Sequence, residues 1–161
     1  TAEYILETTN LLTRELKAEL VKIFVDDEKY SGIYISVLSF GFKYGIPVDA
    51  DLVFDVRFIP NPFYIPELRP KTGNEKEVQD YVLKWDISKE FLDKLEDMVK
   101  FLIPHYIEEG KTQLVVGIGC TGGKHRSVTL ANELYKRLEN EIYSVKIEHR
   151  DIEKDLHKLR E

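Results

Sequence analysis

Val115-Val116-Gly117-Ile118-Gly119-Cys120-Thr121-Gly122-Gly123-Lys124-His125-Arg126-Ser127 is an apolar run that passes into a glycine-rich turn and then into a basic helix start. The run is continuous rather than alternating, as a strand covered on both faces of a parallel sheet requires. We read a strand over Gln113 to Gly119 and a helix over Arg126 to Leu138. A strand that feeds a helix through a glycine turn gathers backbone N–H groups at a positive helix N-terminus, which makes a cradle for an anion. Gly122 and Gly123 can adopt left-handed angles and admit a ligand to the main chain, while Lys124, His125 and Arg126 supply side-chain donors. Thr121, Gly122, Gly123, Lys124, His125, Arg126 and Ser127 are therefore the candidate phosphate-binding set. A Walker A loop needs different glycine spacing and a Ser or Thr directly after Lys124, where His125 stands, so nucleotide triphosphate hydrolysis is disfavoured.

Outward from this segment, strands and helices alternate. Gly32 to Phe40 is β-branched and aromatic and reads as a buried strand, Asp51 to Phe58 as a second, and Tyr143 to Glu148 as a last one. Amphipathic helices are expected from Asn10 to about Phe24, Glu75 to Leu83 and Ser88 to Tyr106, the last capped by Ser88 and ended by Gly110. A polar helix is expected over Ile152 to Arg160. Pro60, Pro62, Pro66, Pro70 and Gly73 forbid regular structure from Ile59 to Asn74, and a loop of that length is usually functional. Its aromatics Phe63 and Tyr64 are expected to pack down. The pattern predicts one α/β domain over residues 1–161, with a mostly parallel sheet flanked by helices.

Composition narrows the function. With 43% hydrophobic and 32% charged residues the chain is neither disordered nor fibrous, and one cysteine excludes an internal disulfide framework and thiolate-rich zinc sites. No apolar run approaches the roughly 20 residues of a membrane span, and no secretory signal is visible, so a reducing cytoplasm fits best. The net charge of -6 repels polyanions. Nucleic-acid binding would need Lys43, Arg57, Arg69, Lys71, Lys124, Arg126 and Arg150 on one face, extended by a homo-oligomer.

Two further groups accompany the loop. Lys43 and Tyr44, between Gly41 and Gly45, follow a buried strand, the usual place for ligand groups in an open α/β sheet. Asp49, Asp51, Asp55 and Arg57 come next, and His149 and Arg150 follow the last strand. Tyr44 joins the candidate ligand-binding set, and Lys43, Asp49, Asp51, Asp55, Arg57, His149 and Arg150 are candidate supporting or RNA-contact residues, beside a structural alternative in which Asp49 caps a turn, Asp55 pairs with Arg57, and the His149-Arg150 pair is an exposed turn. His105 and His157 read as cap or surface residues. The carboxylates lack the regularity of a calcium loop and no histidine pair has metal spacing, so neither metal nor cofactor is expected. Cys120, Gly123, Arg126 and Ser127 also satisfy C-x-x-G-x-x-R-S, which resembles the loop of cysteine-dependent phosphatases, where a thiolate attacks phosphorus and the Arg holds its oxygens. That family has His where Gly119 stands, and Trp85-Asp86 lacks the proline of its general-acid loop. Cys120 and Arg126 are therefore the catalytic alternative to a site that binds without turnover.

The blocks SFGFKYGIPVDADLVFDVRFIPNPFYIPELRPKTG, GCTGGKHRSV and HRDIEK, within Tyr34 to Lys154, resemble the C-terminal domain of the RapZ/YvcJ family of bacterial nucleotide-binding adaptor proteins. The resemblance implies a sugar-phosphate-binding fold related to a phosphofructokinase subdomain. It implies an amino-sugar phosphate such as glucosamine-6-phosphate against Thr121, Gly122, His125 and Arg126. It further implies an adaptor that presents small RNA to a ribonuclease. Tyr44 stands where enterobacterial members have His, and acidic residues interleave the tail where those members have a basic run. Thr1 in place of an initiator Met, and no Walker A motif, suggest that residues 1–10 are a linker remnant from an N-terminal P-loop domain.

Overall fold

In the computed structural model, residues 32–154 are described apart from 140 and 142, together with positions 13 and 16. The helix expected over 10–24 lies outside the described residues except for Thr13 and Leu16, which are helical. The terminal helix expected from 152 has only residues 152–154 within the described part, where they form a turn.

Four strands form the sheet: β1 (Tyr34–Gly41), β2 (Leu52–Asp55), β3 (Gln113–Cys120) and β4 (Ser144–His149). Their order is β2-β3-β1-β4 and every pairing is parallel. The central strands β1 and β3 carry the two most apolar runs and are buried almost throughout, as a sheet covered on both faces dictates. Within residues 32–154 three α-helices flank the sheet: α1 (Lys76–Leu83), α2 (Asp86–Glu109) and α3 (Arg126–Glu139). Ile35, Val37, Val116 and Ile118 of the sheet share one core with Leu92 and Val99 of α2 and Leu130 and Leu134 of α3. Each such side chain, fully buried, is worth about 1.5–3 kcal/mol.

Two local expectations change. Ser88 lies inside α2 rather than at its cap, which is Trp85; its hydroxyl donates to the Val82 carbonyl at 2.7 Å and so ties the end of α1 to α2. The proline-rich segment does contain a turn of 3-10 helix, Pro62–Tyr64, because Asn61 Oδ1 accepts from the Phe63 N–H and closes it. That segment is anchored by Ile59, Pro62 and Leu68, which are buried, while Phe63 and Tyr64 face outward. Gly110 ends α2 as expected, at φ 99°, with its N–H on the Ile107 carbonyl.

The register sets where chemistry can occur. Gly41 is level with Cys120, Ser39 with His149, and Asp55 with Gly119, so the loops after all four strands meet at the carboxyl edge of the sheet. Among the described residues no helix is long and apolar enough to cross a membrane.

Candidate anion-binding cleft

The segment between β3 and α3 is buried although it is basic. Lys124, His125 and Arg126 are 7%, 6% and 4% exposed, and burial continues through Ala131, so α3 enters the protein by its N-terminus. Gly123 makes this entry feasible. Its φ is 71°, and a Cβ there would lie 2.6 Å from the Gly41 nitrogen and 2.9 Å from the Asp151 Cβ. Of the two glycines expected to be left-handed, only Gly123 is; Gly122 instead packs its backbone against Gly41.

The long loop of residues 56–75 folds over this segment and is clasped by it. Lys124 Nζ donates to the Arg69 carbonyl at 3.1 Å, and the Gly73 N–H donates to the Lys124 carbonyl at 2.9 Å. Arg126 Nη1 donates to the carbonyls of Arg57 (2.8 Å) and Ile59 (2.9 Å), and Nη2 to Thr121 Oγ1 (3.2 Å). Between loop and helix lies a cleft of about 750 Å³. Thr121, Gly122, Lys124, His125 and Arg126 line its floor, with Lys43 and Cys120, and Asn61, Phe63, Tyr64, Arg69 and Pro70 complete it. Arg126 Nε and His125 Nε2 are buried in this region with no hydrogen-bond partner. Buried polar atoms without a partner are costly, and these two belong to residues that line the cleft.

Burial lowers the affinity of both side chains for a proton. His125 is held below the ordinary histidine range first by burial and then by the Lys124 charge, although carbonyls of the Leu68–Lys71 segment pull the other way. The Arg126 guanidinium is likewise depressed by burial, partly offset by its surroundings.

The other expected residues divide into two groups. Asp55 and Arg57 pair side chain to side chain at 2.6 Å on the cleft's outer edge, and Asp55 is lowered chiefly by that hydrogen bond. Arg57 also stacks over Phe42, 4.3 Å from its ring centre. Ser127 is buried with its hydroxyl 3.1 Å from Cys120 Sγ. Tyr44 is half-buried beside the cleft, with the ammonium groups of Lys43 and Lys154 over its ring at 4.9 and 4.8 Å. His149 stands in a network, Nδ1 2.8 Å from Ser39 Oγ and Nε2 3.2 Å from Asn132 Oδ1, and burial lowers it. Arg150 Nη2 donates to the Gly45 carbonyl at 2.6 Å. Asp49 and Asp51 are elsewhere: they line a separate hollow of about 350 Å³ with Lys111 and Gln113, toward the amino end of β3. His105 stacks on Phe101 at 5.0 Å, and His157 lies outside the described residues.

A family model for the RapZ C-terminal domain matches residues 33–153, nearly the whole described part and all of the cleft. The chain belongs to this family. It is 67% identical over 155 residues to a protein named "Nucleotide-binding protein" of Agathobacter rectalis, covering 96% of this chain and 53% of that one. A similarly named protein of Caldanaerobacter subterraneus is 64% identical over 151 residues, 94% of this chain and 53% of its own. One from Lachnoclostridium phytofermentans is 65% identical over 153 residues, 95% and 54%. The chain thus spans about half the length of the curated relatives it matches.

Sequence reasoning missed two parts of this RapZ C-terminal domain. Asp151, counted only among the acidic residues of the tail, is 1% exposed; its Oδ2 accepts the Gly41 N–H at 2.8 Å and its carboxylate pairs with Arg150 and Lys154. Burial works against its charge, and these hydrogen bonds outweigh burial, so its acidity is raised. The wall formed by Asn61, Phe63, Tyr64 and Pro70 was also missed. Its signal was the length of the proline-rich loop, which marks such a segment as a place for function.

Proposed function

We propose that this domain binds a phosphate-bearing small molecule, of the amino-sugar phosphate class exemplified by glucosamine-6-phosphate, in the Thr121–Ser127 loop and does not turn it over. The observation that carries the reading is the pair of buried, unpartnered nitrogens, His125 Nε2 and Arg126 Nε, beside a cleft floored by Lys124 and glycine backbone. Among the described residues that line the cleft none is Asp or Glu, so the carboxylate general acid of the phosphatase reading has no counterpart there. The bound state would be passed on to small RNA and a ribonuclease or other regulatory protein, in a cytoplasmic adaptor that acts as a homo-oligomer. Lys43, Arg57 and Arg69 are the exposed cations around the cleft that an RNA backbone would meet. Titration calorimetry with glucosamine-6-phosphate and inorganic phosphate tests the reading, and absence of heat with both refutes it. Retention of RNA on filters across a salt series tests the partner, since each neutralised phosphate of a single strand adds about 0.7 to the salt slope.

One contact favours the catalytic alternative. Cys120 Sγ lies 3.1 Å from Ser127 Oγ at the end of a strand, six residues before Arg126, which is an arrangement able to stabilise a thiolate. Yet Cys120 is 3% exposed and belongs to the core. Turnover of an aryl phosphate that Cys120→Ser abolishes would establish the phosphatase in place of the binding site.

A further inference from the structure

The cleft has two unlike ends. Its floor carries Lys124, His125 and Arg126, whereas its other side adds the rings of Phe63, Tyr64 and Pro70 to Asn61 and Arg69. A hexose phosphate has polar partners in the cleft but no planar group to set against these rings. A volume of about 750 Å³ lies in the range that encloses a drug-sized ligand, larger than a sugar phosphate.

The aromatic wall is held outward against its own burial. Tyr64 is 75% exposed and Phe63 48%, while Ile59, Pro62 and Leu68 of the same loop are buried. The 3-10 turn fixes this choice, with the Tyr64 N–H on the Asn61 carbonyl (3.3 Å) and the Ile65 N–H on the Pro62 carbonyl (3.0 Å). Arg69 braces the turn from one side: its Nε donates to the Phe63 carbonyl at 2.9 Å and its guanidinium covers the Phe63 ring at 4.9 Å. Tyr64 and Phe63 meet in a T-shaped pair, 5.9 Å between centres at 82°, so the two rings are not stacked in parallel. Tyr64 and Arg126 line the same cleft.

We infer that the cleft accepts a nucleoside monophosphate, with the phosphate on the Thr121–Arg126 loop and the base stacked on Tyr64. A rigid exposed aromatic beside an anion cradle suits a ligand that joins a phosphate to a planar ring through a sugar. Stacking on an aromatic face tolerates any base, and purines give the larger contact. The inference rests on the phosphate-loop reading above and adds the base subsite to it.

Calorimetric titration of the full chain with AMP, ribose 5-phosphate and inorganic phosphate separates the two parts. AMP is expected to bind about tenfold more tightly than ribose 5-phosphate. Tyr64→Ala removes that difference and leaves ribose 5-phosphate unchanged, while Tyr64→Phe keeps it. Tyr64 is exposed, so these variants retain the fold. Equal binding of AMP and ribose 5-phosphate to the unsubstituted protein, or a difference that survives Tyr64→Ala, overturns the base subsite while the phosphate loop stands. Failure of all three ligands to bind overturns the phosphate loop, and the base subsite with it.

Discussion

The two ends of β3 carry similar polar groups and treat them differently. At the amino end the Asp51 carboxylate takes the Lys111 ammonium at 2.6 Å and the Val115 N–H at 2.8 Å, so charge and hydrogen bond are answered within the chain. At the carboxyl end three buried cationic or titratable residues stand together, and two of their nitrogens have no partner. Both ends border a hollow. What separates the two ends is whether the buried polar groups are already satisfied within the chain, and unsatisfied ones mark the candidate site.

The contrast is broken most severely at Arg126. Arg126→Ala strands the carbonyls of Arg57 and Ile59 and frees Thr121, so we expect a loss of about 3–5 kcal/mol together with phosphate binding, read by urea titration and calorimetry. Arg126→Lys restores charge without the fork and should recover only part of either. Lys124→Ala, which loses the bond to the Arg69 carbonyl and a charge without a bidentate fork, should harm binding less.

Next comes Gly123→Ala. A side chain at φ 71°, with its Cβ 2.6 Å from the Gly41 nitrogen, should cost about 2–3 kcal/mol and misplace the loop. Unchanged melting of this variant would show that the close approach of Gly41 and Gly123 is not what sets the cleft. Asp51→Ala, at the far end of the same strand, should cost only about 1 kcal/mol and leave phosphate affinity untouched.

A smaller effect is expected from pH. His125 and His149 are both held below the ordinary value of 6.5, so above it both states of the protein carry them neutral and their contribution is complete. As pH falls below 6.5 the unfolded chain takes up protons that the folded one resists, and stability declines until the folded values are passed. Melting temperature should therefore drop between pH 7.5 and 5.5. The depressed carboxylates Asp55 and Asp151 remain ionised over that interval, so the double variant His125→Gln, His149→Asn should flatten the drop.

Much of the fold was legible in the chain. Unbroken apolar runs marked β1 and β3 as central, and alternation with helices marked the sheet as parallel; all four strands proved parallel. The loop from Thr121 to Arg126 was legible because glycine, basic residues and a helix start adjoin in sequence. Ser88 misled because a serine before an apolar stripe signals a cap whether or not its hydroxyl finds another acceptor. Asp151 was illegible for a different reason: its partner Gly41 is 110 residues away, and no periodicity encodes such a contact. Nor does spacing tell which of Phe63 and Leu68 turns inward, since a proline-rich loop has no repeat from which to read a face.

The bond from Asp151 to the Gly41 N–H joins the end of β1 to the segment after β4, and so sets an order of assembly during synthesis. A nascent chain that has emerged as far as α3 already holds the phosphate loop and the residues of its aromatic wall. It lacks the carboxylate against which Gly41 and Gly123 settle, and it lacks β4, which flanks β1. With the contact spanning so much sequence, closure of the cleft falls late on the ribosome, after residue 151 has cleared the exit tunnel. Before that moment the Gly41 N–H lacks the carboxylate that it meets in the finished fold, and the turn at Gly123 lacks the wall against which it packs.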